Sequence, residues 1–185
     1  VPVRAAAPET SIEADGHALL VKQVEALREK VAATDDDGKP MVESAYRASL
    51  QNSLVRILQQ ITERDYKNAA QACDSAASYG ASPAFKKLLA DLAAQLRVQI
   101  KTAQAEVAAK AKSFIAELPA ACSKATATEL EKLAEQLQEV QAPFNKLYGS
   151  YSGELSPTVV SLRENLSAAS TGIKEWMNAR RAEDA

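Results

Sequence analysis

Very little in this chain could do chemistry. Its 185 residues include one histidine, His17, two cysteines, Cys73 and Cys122, and one tryptophan. A Ser-His-Asp triad would have to be built on His17 alone, and no nucleophile elbow accompanies it. A zinc site lacks ligands of the right type and spacing. The acidic run Asp35-Asp36-Asp37-Gly38 fails as a calcium loop. With Gly38 sixth, the first position would be Ala33 and the twelfth Ser44, neither of them acidic. It reads as a solvated loop. These shortages point to a protein that is not an enzyme and carries no cofactor or metal.

Other absences bound the fold. Aromatics are only 5% of the chain, so the core must be aliphatic. Six glycines and seven prolines give sparse punctuation, and no alternating Val/Ile/Thr run suggests a strand. No apolar run approaches the ~20 residues that span a bilayer. The 22 basic and 24 acidic residues nearly cancel, with no basic stripe, so nucleic acid is not an expected partner.

What is present is alanine and glutamate, together more than a quarter of the chain. Both are strong helix formers. The hydrophobic fraction of 46% is that of a folded protein. The expectation is one all-α domain over 1–185: helix one and a long hairpin over 11–118, a short helix and loop region over 119–156, and a C-terminal helix over 157–181.

Helix one is expected over 11–33, with Ser11 as N-cap, Glu13 in the first turn and His17, Leu20, Val24, Leu27 and Val31 on its buried face. A second helix is expected over 40–79, with Leu50, Leu54, Ile57, Ile61, Ala69, Cys73 and Ala76 inward. A break at Arg64-Asp65, with Asp65 capping a new start, is the alternative. The stretch Tyr79-Gly80-Ala81-Ser82-Pro83 combines a C′ glycine, an N-cap serine and a proline at N1, and predicts a tight antiparallel turn.

The third helix, 83–118, carries the clearest pattern. Phe85, Leu89, Leu92, Leu96, Ile100, Ala103, Val107, Ala111, Phe114 and Leu118 follow one another at steps of three and four in an eleven-residue repeat. That period matches an unstrained helix and predicts a straight packing seam. Such a helix would be about 54 Å long, against a radius of gyration of ~16 Å for a compact chain of this length. The sequence therefore predicts an elongated antiparallel bundle. Pro119 is read as the stop, and Thr128 with Glu131 as a capping box for a short helix to about Gln141. The last helix starts at Ser156-Pro157, with Val159, Leu162, Leu166, Ala169, Ile173 and Trp176 inward.

The segment 142–155 reads as irregular and holds Phe144, Tyr148 and Tyr151. These three are the candidate recognition surface, beside the favoured reading of a loop whose aromatics pack into a local core. Asn165-Leu166-Ser167 is an N-glycosylation sequon inside a predicted helix. Cys73 and Cys122 are expected to be free: an unbroken hairpin would hold them near 50 Å apart, and a disulfide allows about 7 Å. Breaking the second helix at Asp65 would lift that constraint. The opening Val1-Pro2-Val3, without methionine, reads as a trimmed chain or a mature one after signal cleavage, with export preferred.

The helix-three repeat, the turn at 79–83 and the interruption over 119–155 together resemble the trypanosome surface coat proteins. The likeness is to the glutamic acid/alanine-rich protein of insect-stage forms, and to its relatives among variant surface glycoprotein N-terminal domains and the haptoglobin–haemoglobin receptor. It is architectural and compositional, covers residues 11–181, and departs from many variant surface glycoproteins in lacking a disulfide. The resemblance implies a lipid-anchored glycoprotein at the cell surface, packed beside neighbouring coat molecules and working as a steric shield. Its anchor would follow a C-terminal signal not present in this sequence. A surface receptor using the 144–155 region is the second expectation, and a helical adaptor with an exposed alanine-rich face the third.

Overall fold

The computed structural model describes residues 11–149 and 155–183. Among them are six α-helices and no strand: α1 (Ile12–Lys30), α2 (Arg47–Thr62), α3 (Tyr66–Ala76), α4 (Pro83–Lys124), α5 (Ala127–Gly149) and α6 (Pro157–Glu183), with a 3-10 turn at Ser44–Tyr46. The all-α helical bundle read from composition is the fold. Contacts gather into two compact units, Val1–Thr102 and Ala103–Ala185.

In the first unit α2 packs against both α1 and α3. Leu20, Val24 and Leu27 of α1, Leu50, Leu54, Ile57 and Ile61 of α2, and Phe85, Leu89 and Leu96 of α4 are all buried. Each set repeats at three and four residues, as a one-sided helix requires. Ser11 caps α1 by accepting from the Ala14 N–H at 3.0 Å, and Ser82 caps α4 through Phe85 N–H at 3.2 Å.

The helix expected over 40–79 is instead two helices preceded by an irregular segment. Residues 31–43 form a loop in which Asp35 Oδ1 accepts from the N–H groups of Asp37 and Lys39, at 3.0 and 2.8 Å. Past it the chain stays extended, with Met41 N–H on Ala33 O at 2.9 Å and Glu43 N–H on Gly80 O at 3.1 Å, and α2 begins only at Arg47. α2 then ends in a Schellman-type turn. The Asp65 N–H reaches Gln60 O at 2.8 Å and the Arg64 N–H reaches Ile61 O at 2.9 Å, with Arg64 at φ 59° in the place usually held by glycine. The break lets both apolar stripes, Leu54/Ile57/Ile61 and Tyr66/Ala69/Cys73/Ala76, be buried in the same unit.

Gly80 turns α3 into α4. It has φ 47°, and a Cβ there would fall on the Tyr46 ring. Only glycine meets both demands. The extended segment beside it pairs Val42 with Ala81.

The second unit is built from the later part of α4 with α5 and α6. Its core joins Ala111, Cys122, Leu130, Leu137, Phe144, Leu162, Leu166 and Ile173. α5 and α6 are antiparallel, since Arg181 late in α6 pairs with Glu131 early in α5 at 3.0 Å. Neither proline ends its helix. α4 runs through Pro119 to Lys124 and α5 through Pro143 to Gly149. Each proline forfeits one backbone N–H, while Cys122 beyond Pro119 and Phe144 beyond Pro143 are buried.

The capping box opening α5 is Thr126 with Glu129, two residues before the pair expected. Glu129 Oε2 accepts from the Thr126 N–H at 2.8 Å, and Thr126 Oγ1 accepts from the Glu129 N–H at 3.3 Å. The Thr126 N–H and the Thr126 hydroxyl, both donating to Oε2, hold the Glu129 carboxyl below its usual range. Trp176, expected inward, is 40% exposed with the Arg180 guanidinium over its ring. Met177, four residues beyond Ile173, takes the inward position.

Candidate functional site

The densest cluster of polar side chains lies in the first unit, at the start of α1. Glu13 sits in the first turn, where an acid favours the helix N-terminus. It is nevertheless only 8% exposed. Three elements converge on it. Tyr66, at the start of α3, donates its hydroxyl to Glu13 Oε1 at 2.6 Å. Arg64, at the α2–α3 turn, donates Nε to the same oxygen at 3.1 Å. Gln99 of α4 donates Nε2 to the Glu13 backbone carbonyl at 2.8 Å. His17, one turn further along α1, meets Tyr66 Oη with Nδ1 at 2.9 Å.

Donors and acceptors order this chain. A phenol has one hydrogen, and the short contact to a carboxylate claims it. His17 Nδ1 must then be the donor to Tyr66, which fixes the tautomer of a neutral ring. Burial, and then the bond to Glu13, push the Tyr66 phenol well above its ordinary range. Burial, followed by the Arg64 charge, holds His17 below its usual value, with Glu13 pulling the other way. The ring therefore favours its uncharged state.

Gly16 completes the arrangement. A Cβ at this position would fall on the Gln99 carboxamide. Glycine here lets Gln99 come close enough to α1 to bond its backbone.

Chemically this is a lock. Proton transfer from Tyr66 to Glu13 would leave a buried phenolate, and the carboxylate is occupied by a phenol and a guanidinium. A general base needs reach to a substrate proton, and here the reach is spent on neighbouring helices.

The residues singled out in the sequence are not brought together here. Phe144 and Tyr148 lie on α5, not in a loop, with exposures of 0% and 9%. Their rings pack at 4.8 Å between centroids. The Tyr148 hydroxyl donates to Gln104 O at 3.0 Å, and Gln104 Nε2 donates to Leu147 O at 3.1 Å. They are thus core and helix clamp rather than surface. Tyr151 lies outside the described residues. Asn165 is exposed on α6.

Cys73 and Cys122 are free and buried. Burial raises both thiols, Cys73 to about 12. Among the described residues no three His, Cys, Asp or Glu side chains gather as metal ligands, and no helix is long and apolar enough to cross a membrane.

No family model, curated protein or solved structure matches this chain.

Sequence reasoning placed Glu13 only as a first-turn acid and His17 only on a buried stripe. The missed signal is Tyr66. Extending the Ala69–Cys73–Ala76 stripe back by three residues reaches it, and a buried phenol calls for a partner.

Proposed function

We propose that this protein is a non-enzymatic structural protein of a cell surface, acting as a steric shield. One observation carries the reading: the groups best suited to chemistry are committed to holding helices together. Glu13, His17 and Tyr66 are joined in one interhelical network, and both thiols are buried. The likeness to trypanosome coat proteins in its alanine-rich helices adds the location. On that reading the partners are neighbouring coat molecules and the membrane, reached through a lipid anchor, and Asn165 is a site for glycan.

Antibody labelling of intact cells tests this directly. The expected outcome is uniform surface staining before permeabilisation, loss of the protein after brief external trypsin, and release by a phospholipase that cleaves lipid anchors. Staining that appears only after permeabilisation would end the surface assignment.

The receptor reading has less support. Two of its three side chains, Phe144 and Tyr148, are buried.

A further inference from the structure

Where α3 folds back on α2, the crease between them encloses about 380 Å3, lined by Arg56, Gln60, Asn68, Gln71 and Tyr79 among others. That is near the lower end for small-molecule sites. We infer that it binds a sugar acid, a ring carrying hydroxyls and one carboxylate.

The argument starts from charge. Arg56 is the single formally charged side chain of the lining. Among the described residues it has no ion pair or hydrogen bond. A guanidinium presents a fixed fork of donors that matches a carboxylate.

The remaining polar groups offer acceptors as well as donors. Ser53, also in the wall, has given its hydroxyl hydrogen to Ser49 O at 3.1 Å, leaving lone pairs. Asn68 gives one Nδ2 hydrogen to Asp65 at 2.7 Å, which leaves a second N–H and its carbonyl oxygen. Gln60 Oε1 is buried with no partner. Gln60 itself lines the crease. A simple anion serves only the donors, whereas sugar hydroxyls serve donors and acceptors alike.

Tyr79 closes the site. It is 46% exposed, and its ring is a flat apolar face with a negative centre. The C–H face of a pyranose, slightly positive, suits it. Anion, hydroxyls and one apolar face are the three features of a uronic acid, whether free or at the end of a glycan.

The test is an NMR titration of the ¹⁵N-labelled full chain with D-glucuronate and with methyl β-D-glucuronide, which mimics a glycan terminus. D-glucose and acetate serve as controls. Saturable shifts are expected on residues 53–79, with a dissociation constant on the order of 1 mM. Glucose and acetate should each bind at least about tenfold more weakly. Arg56→Gln, at an exposed position, should weaken glucuronate at least about tenfold while the spectrum stays dispersed. Binding of both glucuronides assigns free sugar acids and glycan ends alike; binding of the methyl glycoside alone assigns glycan ends. No saturation by either up to about 50 mM, equal binding of glucose, or an unchanged Arg56→Gln would overturn the inference.

Discussion

The Tyr66 hydroxyl donates to the Glu13 carboxylate at 2.6 Å across 53 residues of chain. The bond joins the first turn of α1 to the start of α3, and both residues are buried. Removing the hydroxyl leaves the carboxylate with Arg64 alone and takes the acceptor from His17. Tyr66→Phe is expected to destabilise the protein by about 2 kcal/mol, the range for a bond to a charged group. Urea unfolding followed by circular dichroism would show it as a lower midpoint at unchanged slope. An unaltered midpoint would mean that the bond contributes nothing net.

His17 gives the protein an acid-side weakness. Its folded pKa lies below the ordinary 6.5, so the unfolded chain binds this proton more readily. Stability is therefore full above about pH 6.5 and falls as pH drops from there toward the folded value. It is the chain's one histidine. His17→Gln should flatten the change in urea midpoint between about pH 7.5 and 5.5. An equal slope in the variant would place the effect elsewhere.

At Gly80 two penalties can be separated. Gly80→Ala puts a side chain at φ 47° and drives its Cβ into the Tyr46 ring. The backbone part costs about 1–2 kcal/mol and persists in any background. The steric part should disappear when Tyr46→Ala is added. A double-mutant cycle therefore predicts partial rescue, and full additivity would rule out the collision.

The thiols offer a test of burial. With Cys73 at about 12, its thiolate fraction at pH 8 is about one in ten thousand. Ellman's reagent should find neither thiol reactive in the folded protein and two per chain in urea. Fast labelling in the native state, or fewer than two thiols after unfolding without reductant, would contradict free buried cysteines.

The helices of this fold were legible wherever a local rule acts. The stripe from Phe85 to Ile100 is buried at each predicted position, because helical period and burial are one geometric fact. Ser11 and Ser82 cap as expected, since an N-cap needs only the next three residues. The failures have equally local causes. Residues 125–131 contain two overlapping boxes, Thr126/Glu129 and Thr128/Glu131, and spacing does not choose between them. Arg64 occupies a left-handed position usually held by glycine, so Asp65, which takes the N-cap position of α3, was the one residue that pointed to the break, given above as the alternative. Pro119 is a helix stop by rule, yet α4 continues to Lys124, and the burial of Cys122 beyond it outweighs one missing N–H. The Glu13 cluster lay beyond reach for another reason. Its partners are 51 to 86 residues away, and Glu13, one of two acids in the first turn with Asp15, looks like an ordinary helix-dipole partner.

Arg180 ties down the link between α4 and α5, donating to Ser123 O at 3.0 Å and Ala125 O at 3.1 Å. As the chain leaves the ribosome, that elbow therefore waits some 55 residues for its fastening. Until then the Ser123 and Ala125 carbonyls lack this donor. The second unit thus closes late and from its far end, and a ribosome stalled within α6 would hold a bundle whose first corner is still unpinned.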